Sequence, residues 1–278
     1  DTRIILYRDP DGKAVAQSAY CAHLGADLSD GDIVEGQVRC PYHHWRYDQS
    51  GACSHIPTGV TPPRAIRIYN YPVAERWGLI WVFNGETPLY EVPTLDGTED
   101  DYIFVARELP EQIQSDSWIQ GTNGVDFQHL TVVHHMPTAA LKGDVVFDDY
   151  TYEYRLEVMS ADGKNRGYAA NCIATHRTLP IPTNNYVIFA TNAPKPGVSD
   201  SFWVAAVKQE PGESREAAEK RLAALDAFLT PFFMEDEYIL NRIRFRKRGE
   251  AKLIRDDLYL GRFMDWLDRF PRHKPFDS

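Results

Sequence analysis

Two short segments near the start of the chain each contain one cysteine and one histidine. The first pair is Cys21 and His23, spaced C-x-H, and the second is Cys40 and His43, spaced C-x2-H, with sixteen residues between the pairs. Thiolates and imidazoles are common metal ligands, so two facing loops of this kind could hold a metal centre. Zinc accepts such a ligand set and is one candidate.

The mixed composition of the two segments favours iron over zinc. Zinc sites usually pair cysteine with cysteine and histidine with histidine. Here each segment supplies one residue of each kind, which suits a Rieske [2Fe-2S] centre with two cysteines on one iron and two histidines on the other. We therefore predict a [2Fe-2S] cluster with four ligands: Cys21, His23, Cys40 and His43. Three nearby residues are expected to pack or to face solvent: His44, Cys53 and His55.

A second group of candidate ligands lies near the middle of the chain. Asn123, Asp126 and His129 are three residues apart and are therefore expected to share one face of a helix. His134 is five residues beyond His129 and off that face, but the β-branched run 131–133 favours the end of the helix there. We expect this interruption to let His134 return towards His129.

Two imidazoles and one carboxylate make the facial triad of mononuclear Fe(II) oxygenases, which leaves other iron positions open for O2 or water. The carboxylate has to come from elsewhere, and Asp236, after the predicted helix 213–233, is our choice. Its neighbours Glu235 and Glu237 are competitors that the sequence does not exclude. All three could also be solvated residues at the acidic end of a helix. The pattern D-x2-H-x4-H is weak alone and becomes strong downstream of the cysteine–histidine segments.

The elements that carry these residues fall into two predicted domains. Residues 1–90 read as short strands between glycine turns, among them 34–38 and 65–71, a pattern typical of a small all-β sandwich. The acidic stretch 86–101 reads as a linker, and residues 91–278 read as a larger α+β domain. Its predicted elements are helices 115–135, 213–233 and 257–270 and strands 145–158 and 186–208.

Composition limits the classes of function. The chain has 278 residues, 30 basic and 40 acidic, and a net charge of −10, which argues against a nucleic-acid or anionic-membrane partner. No apolar run approaches the ~20 residues that span a bilayer. Four cysteines are too few for a disulfide scaffold in a chain of this length, so we expect a cytoplasmic protein. The chain begins inside what reads as structure, so a native N-terminal segment is expected to precede it.

The two groups of residues together resemble the Rieske non-haem iron oxygenases. Four more residues match positions typical of the cluster motif: Gly25, Pro41, Trp45 and Tyr47. His44 departs from it, because many members carry glycine there. The chain is most similar to the oxygenase (alpha) subunit of the homotrimeric branch, phthalate dioxygenase-like or ketosteroid hydroxylase-like. The resemblance covers essentially the whole chain and implies an α+β fold, in which a Rieske sandwich precedes a helix-grip (START-like) catalytic domain with an antiparallel sheet.

This resemblance also implies roles for residues of the second group. His129, His134 and Asp236 would bind a mononuclear Fe(II). Asp126 would join His129 to a cluster histidine, His43, of a neighbouring subunit in a homotrimer. Asn123 belongs to the same catalytic set.

The resemblance further implies the reaction. The chain has no GxGxxG fingerprint, so a separate reductase or ferredoxin would supply electrons. With these electrons and O2, the protein would hydroxylate or oxidatively dealkylate a small hydrophobic cyclic substrate, with a lean towards steroid-like or polycyclic compounds. Ring dihydroxylation is an alternative outcome. A Rieske electron carrier, or a lipid-binding module without oxygenase activity, is the rival class.

Overall fold

The chain divides into two compact units, Asp1–Val92 and Pro93–Ser278. The computed structural model describes residues 3–95, 97–135, 138–159, 165–173, 176–181 and 184–270. Each unit has buried hydrophobic residues of its own and therefore its own core.

The first unit is built from short antiparallel strands. They are β1 (Ile4–Arg8), β2 (Ala14–Ser18), β3 (Asp32–Val34), β4 (Gln37–Arg39), β5 (Arg46–Tyr47), β6 (Cys53–His55), β7 (Asn70–Tyr71), β8 (Val73–Arg76) and β9 (Leu79–Val82). They form one sheet in the order β1-β2-β7, a second in the order β3-β4-β5-β6, and the hairpin β8-β9. Residues of both larger sheets share one core, among them Ile5, Val38 and Tyr47. The unit is therefore a small all-β sandwich, which confirms the fold predicted for this part of the chain.

Two strands of the first unit differ from the prediction. Residues 34–38 do not form one strand, because Glu35 and Gly36 have positive φ angles of 54° and 73° and turn the chain between β3 and β4. Positive φ at both central residues is typical of a tight two-residue hairpin turn. Of the predicted strand 65–71, only Asn70–Tyr71 forms a strand.

The second unit is organised around a seven-stranded antiparallel sheet. Its strands are β10 (Tyr102–Glu108), β11 (Thr138–Phe147), β12 (Thr151–Met159), β13 (Asn165–Ile173), β14 (His176–Ile181), β15 (Asn185–Lys195) and β16 (Val198–Lys208). Strands β11 to β16 are neighbours in chain order, and β10 pairs with β16 at the edge. The helices of the unit are α1 (Ser117–Thr122), α2 (Phe127–Val132), α3 (Arg215–Leu240) and α4 (Leu258–Leu267).

The longest helix, α3, packs its apolar side against the sheet. Ser214 begins it, because the Ser214 hydroxyl accepts a hydrogen bond from the Ala217 amide (3.2 Å). Buried residues then recur along one side: Ala218, Leu225, Leu229, Phe233 and Leu240. They share a core with residues of β15 and β16, and each fully buried Leu or Phe contributes about 1.5–3 kcal/mol relative to an exposed one. Neither α3 nor any other helix in the described part of the chain is long and apolar enough to cross a membrane.

Three helices differ from their predicted boundaries. The predicted helix 115–135 is interrupted at residues 123–126 and forms α1 and α2, because the backbone of Asp126 is not helical (φ −89°, ψ 86°). Helix α3 continues beyond the predicted end at Phe233 as far as Leu240, since Leu240 is still buried on the same side. Helix α4 is shorter than the predicted range 257–270 at both ends.

Two candidate metal centres

Two loops of the first unit present the predicted cluster ligands. One loop follows β2 and the other follows β4, and together they contain Cys21, His23, Cys40 and His43. The loops close alike, since the Gly25 amide donates to the Cys21 carbonyl (2.8 Å) and the His44 amide donates to the Cys40 carbonyl (3.0 Å). Gly25 and His44 both have positive φ, 75° and 59°, a geometry that favours glycine. His44 therefore closes its loop at a position suited to glycine.

The two kinds of ligand differ in burial: the cysteines lie in the interior of the unit and the histidines at its surface. Cys21 and Cys40 are 3% and 1% exposed, and burial raises the pKa of the Cys21 thiol. The imidazoles of His23 and His43 lie at the surface, with ring centroids 4.7 Å apart. Two buried thiols and two exposed imidazoles match the ligand set of a Rieske cluster. Another protein or subunit could therefore approach the site through His23 and His43.

Aromatic residues surround these ligands. The Tyr47 hydroxyl is 3.1 Å from Cys21 Sγ and accepts a hydrogen bond from the Ala22 amide (3.1 Å). Because the amide supplies its own hydrogen, the hydroxyl hydrogen is available to the sulfur. Burial raises the pKa of Tyr47, so the hydroxyl keeps this hydrogen. The Trp45 ring stacks on His23, with centroids 4.3 Å apart.

The second unit brings His129, His134 and Asp236 together. One ligand atom from each lies within 4.8 Å of the other two. Asp236 Oδ1 is 3.8 Å from His129 Nε2 and 3.3 Å from His134 Nε2. His134 is fully buried and the other two side chains are largely buried, with exposed fractions of 0% for His134, 12% for His129 and 13% for Asp236. Two imidazoles and a carboxylate are a ligand set suited to Fe(II).

The end of α2 allows the two histidines to meet. His129 lies in α2, which ends within the β-branched run 131–133, as predicted. His135 has a φ of 52°, so the chain turns just after His134. The His134 ring then stacks on Phe232 of α3, with centroids 3.7 Å apart. The two imidazole centroids are 5.0 Å apart.

Each imidazole is oriented through the ring nitrogen that faces away from Asp236. His129 Nδ1 is 2.6 Å from the backbone carbonyl oxygen of Asp126, and His134 Nδ1 is 2.9 Å from the Glu235 carboxylate. Carbonyl and carboxylate oxygens only accept hydrogen bonds, so we assign a hydrogen to each Nδ1. Each Nε2 then directs a lone pair towards Asp236.

This arrangement favours a cation at the centre of the three side chains. His134 Nε2 is buried and has no directed hydrogen bond within the described residues. Burial lowers the pKa of His134, but Asp236 and Glu235 outweigh burial and raise it. Burial lowers the pKa of His129, and Asp236 offsets this only in part. Lone pairs that face a carboxylate repel it, whereas a metal ion between them satisfies all three groups.

Comparison with known proteins identifies the first unit. Residues 1–72 match the family of Rieske [2Fe-2S] domains. The N-terminal unit is a Rieske domain. Its cofactor is a [2Fe-2S] cluster, so zinc is set aside as the occupant of this unit.

Relatives of the chain extend the resemblance beyond the Rieske domain. Aminopyrrolnitrin oxygenase PrnD of Pseudomonas fluorescens is 34% identical over 168 residues, which cover 57% of this chain and 46% of that protein. The oxygenase component of 3-ketosteroid-9-alpha-monooxygenase from Rhodococcus rhodochrous is 28% identical over 273 residues, which cover 84% of this chain and 67% of that protein. The chain thus spans less than half of the length of the former protein. These relatives confirm the resemblance to the Rieske oxygenases.

Solved structures confirm the predicted fold. The structure of dicamba monooxygenase bound to dicamba has a TM-score of 0.74 at 20% identity and covers 97% of this chain and 90% of that chain. NdmA of Pseudomonas putida CBB5 with caffeine has a TM-score of 0.73 at 19% identity and covers 96% of this chain and 81% of that chain. The chain therefore shares their fold, with a Rieske domain followed by an α+β unit with an antiparallel sheet.

Two further predicted site residues lie beside the triad, with contacts that differ from the prediction. Asp126 Oδ1 accepts a hydrogen bond from the His129 amide (3.1 Å) and caps α2. The expected contact between the Asp126 carboxylate and the His129 ring is therefore made by the Asp126 backbone carbonyl. Asn123 ends α1 and lines a small cavity together with Asp236. Asn123 and Asp126 thus flank a break between two helices and do not share one helix face with His129.

A buried polar chain beside Asp236 was not among the predicted site residues. Two of its members, Gln120 and Ser201, line a cavity of about 10 Å³, room for about one water. Ser201 Oγ donates to Gln120 Oε1 (2.8 Å), and Gln120 Nε2 donates to Ser199 Oγ (2.5 Å). All three residues are at most 2% exposed. The signal in the sequence was two serines at alternate positions before the apolar run 202–207, since alternate strand positions share a face.

Proposed function

We propose that the chain is the terminal oxygenase component of a Rieske non-haem iron oxygenase system. One observation supports this above all: His129, His134 and Asp236 converge in a chain whose first unit is a Rieske domain. An electron carrier would need only the Rieske domain. A lipid-binding module would have no use for two imidazoles whose lone pairs face one carboxylate.

In this proposal His129, His134 and Asp236 bind one Fe(II). Asp236 is preferred to its neighbours, because Asp236 faces the Nε2 atoms of both imidazoles. Glu235 contacts the opposite nitrogen of His134 (2.9 Å), and Glu237 accepts a hydrogen bond at the end of α3 (3.4 Å). When bound at such a triad, Fe(II) activates O2 with electrons delivered through the cluster.

The protein's own residues hold the imidazoles and exclude water. The acceptors at Asp126 and Glu235 fix the orientation of the two rings. Phe232 stacks on His134, whose side chain has no exposed surface. Gln120 is held by two serine hydroxyls beside the cavity that Asp236 lines, so the polar surroundings of the carboxylate are set before any ligand binds.

We also infer a homotrimer with head-to-tail contacts and a separate reductase or ferredoxin. Two relatives are named as oxygenase components, which indicates that other components accompany them. The exposed position of His43 and the second carboxylate oxygen of Asp126 would let the two residues meet across a subunit boundary. A closed ring of heterologous contacts gives each subunit such a neighbour. The Asp126 carboxylate would then accept a hydrogen bond from the His43 imidazole of the neighbouring subunit. The Asp126 backbone carbonyl would at the same time accept one from His129 Nδ1.

The substrate class we propose is a small hydrophobic cyclic compound that is hydroxylated or oxidatively dealkylated. The oxygenase component of dicamba O-demethylase from Stenotrophomonas maltophilia is 42% identical over 90 residues. Ring dihydroxylation is the second candidate, because the 3-chlorobenzoate-3,4-dioxygenase oxygenase subunit of Comamonas testosteroni is 30% identical over 167 residues. Four cysteines are too few for a disulfide scaffold in a chain of this length, and we place the reaction in the cytoplasm.

The test compares His129→Ala and His134→Ala with the wild type, each as the full chain loaded with cluster and Fe(II). We expect both variants to keep the visible spectrum of the cluster, to lose the additional iron, and to stop consuming O2 with a library of cyclic compounds and a surrogate reductase. His55→Ala, which changes an exposed histidine outside the triad, is the control. Product formation in both triad variants would show that the site assignment is wrong.

A further inference from the structure

A basic surface follows α3, although the chain as a whole is acidic. Residues 242–255 contain seven arginines and lysines and one acidic residue, whereas the whole chain has a net charge of −10. The seven side chains are all exposed, and we call them the basic surface: Arg242, Arg244, Arg246, Lys247, Arg248, Lys252 and Arg255.

The basic surface is largely without acidic partners. Elsewhere in the described chain, arginines commonly form salt bridges, as Arg221 does with Glu213 (2.8 Å). Among the described residues, the basic surface contains one such pair, between Arg248 and Asp265 (3.0 Å). Like charges so close in the chain repel one another, and an acidic partner relieves that repulsion.

The segment that carries these charges packs against other parts of the second unit. The Phe245 ring packs on Trp118, with centroids 4.9 Å apart, and both are partly buried and pack against the main core of the unit. The carbonyl of Lys247 accepts hydrogen bonds from the amides of Glu250 (2.8 Å) and Ala251 (2.9 Å). The charges are therefore displayed on an ordered surface, and they are not part of a loose polar tail.

The composition of this surface favours a protein partner over a nucleic acid. Five of the seven cations are arginine, which is enriched in protein interfaces while lysine is depleted. Ile243, Ile254 and Leu258 lie within or next to the segment and are 41%, 61% and 57% exposed. The aromatic residue of the segment, Phe245, is packed on Trp118 and does not offer a face on which bases could stack.

The segment follows one element that carries the triad, α3, and its far end comes close to the other, α2. It begins six residues after Asp236, just beyond the end of α3. Beyond its far end, Asp257 accepts a hydrogen bond from Gln128 Nε2 (2.8 Å). Gln128 is the neighbour of His129 in α2. A partner bound at the Arg255 end of the basic surface would therefore lie near α2.

We propose that the basic surface docks the acidic electron-transfer protein that reduces this oxygenase. The inference rests on the proposed function, which requires a separate donor. In the head-to-tail trimer proposed above, the neighbouring subunit's cluster reaches α2, and a donor beside α2 is close to that cluster. Opposite charge accelerates such encounters by about 10–10³-fold at low salt. The transfer moves one electron from the reduced carrier to the oxidised cluster and forms no bond.

The experiment uses the full chain, loaded with cluster and Fe(II), and a reduced plant-type [2Fe-2S] ferredoxin as the acidic probe. Stopped-flow absorbance follows reduction of the Rieske cluster at increasing NaCl. The test variant combines Arg244→Glu, Arg246→Glu and Lys247→Glu. A charge-matched control changes three exposed cations outside the basic surface, Lys13→Glu, Arg64→Glu and Lys195→Glu. A neutral deazaflavin photoreductant, which needs no docking surface, reports whether the cluster of each variant is intact.

We expect the wild-type rate constant to fall with salt, and the test variant to be about tenfold slower at low salt and nearly independent of salt. The control should stay near the wild type, and the photoreductant should reduce all three alike. Equal responses of test variant and control would overturn the proposal. So would binding of a DNA duplex but not of ferredoxin, or a test variant that differs only by loss of trimer mass in light scattering. The readout is cluster reduction, so a chain that docks ferredoxin but oxidises no compound would refute the proposed function alone.

Discussion

At the scale of single residues, each histidine of the triad is oriented by a hydrogen bond from Nδ1, the ring nitrogen that faces away from Asp236. Glu235 is adjacent to Asp236 and is its rival as a ligand when only the sequence is considered. In the structure, Glu235 lies 2.9 Å from Nδ1 of His134, on the opposite side of the ring from Asp236. It therefore acts on the orientation of His134 and leaves Nε2 for a metal ion.

Replacing this acceptor should weaken the mononuclear site. We expect Glu235→Ala to lower Fe(II) affinity about 10–100-fold, as is usual when a partner of a metal-bound histidine is removed. The matched control is Glu237→Ala, because Glu237 makes its hydrogen bond at the end of α3. Affinity is measured by titration of the iron-free site with Fe(II) and with Co(II). Equal affinities in the two variants would mean that Glu235 does not position His134.

Tyr47 should tune the cluster of the Rieske domain. Its hydroxyl hydrogen is available to Cys21 Sγ, and such a hydrogen bond stabilises the reduced cluster, which has one more negative charge. We expect Tyr47→Phe to lower the midpoint potential by about 20–65 mV, the equivalent of one hydrogen bond of ~0.5–1.5 kcal/mol for one electron. Tyr7→Phe, which removes a hydroxyl bonded to Gln17 (3.2 Å), is the control. A redox titration followed by absorbance checks this, and an unchanged potential would contradict it.

At the scale of secondary-structure elements, the ends of helices position the site more than their interiors do. The break between α1 and α2 places Asn123 and Asp126, and the end of α2 lets His134 approach His129. The break is stable because the Asp126 carboxylate caps α2. One residue thus supports the helix with one carboxylate oxygen, while the proposed contact to a neighbouring subunit would use the other.

Two substitutions of Asp126 should separate these roles. Asparagine is a good helix N-cap, so Asp126→Asn should keep the melting temperature close to that of the wild type. Asp126→Ala should cost about 1 kcal/mol of unfolding free energy. Both variants should slow electron transfer from cluster to iron, measured as single-turnover oxidation of the reduced cluster in air. Normal electron transfer in Asp126→Asn would argue against the bridge between subunits.

The ion pair between Glu213 and Arg221, at the start of α3, should make the stability of the fold depend on pH. Two hydrogen bonds from Arg221 (2.8 and 2.9 Å) and one from the Glu210 amide (2.9 Å) lower the pKa of Glu213 to about 2, from 4.5. A depressed carboxyl pKa stabilises the fold above the unfolded-state pKa, and this contribution is lost as pH falls towards the folded-state value. Glu213→Gln should therefore melt below the wild type at pH 7, and the difference should shrink as the pH falls from 4.5 towards 2. Glu216→Gln, in an exposed pair with Lys220, is the control, and a difference independent of pH would contradict the assignment.

At the scale of the whole molecule, each centre belongs to a unit with a core of its own. The thiols of the cluster site are part of the core of the first unit. The triad is assembled from α2, the chain just after it, and α3, all in the second unit. The two centres should therefore gain and lose metal separately.

Chelation should show this independence. A mild Fe(II) chelator is expected to remove the mononuclear iron, because in the proposed site three side chains would hold it and two of them are 12% and 13% exposed. The thiols of the cluster site are more deeply buried, so its visible spectrum should persist. O2 consumption should stop and return when Fe(II) is added back. Loss of the cluster spectrum in step with O2 consumption would contradict two separate centres.

Much of each site could be predicted because its spacing is local. The loops of Cys21 and Cys40 are each closed by a hydrogen bond between residues four positions apart. The short motifs C-x-H and C-x2-H therefore include most of the residues that shape each loop. The buried chain of Gln120 and Ser201 could not be found in this way, because its partners are about eighty residues apart in the chain and meet only when α1 packs near β16. The end of α3 was also unpredictable, since burial of Leu240 depends on a core assembled from distant strands.

The sequence by itself determined which ligand types are present, where each loop closes, and that α2 ends before His134, because these depend on residues a few positions apart. Only the tertiary structure decided which carboxylate faces the imidazoles. Glu235, Asp236 and Glu237 are consecutive on α3, and successive residues of an α-helix point about 100° apart. Their directions in space are set by how the buried side of α3 lies on the sheet, and that packing involves residues far away in the sequence.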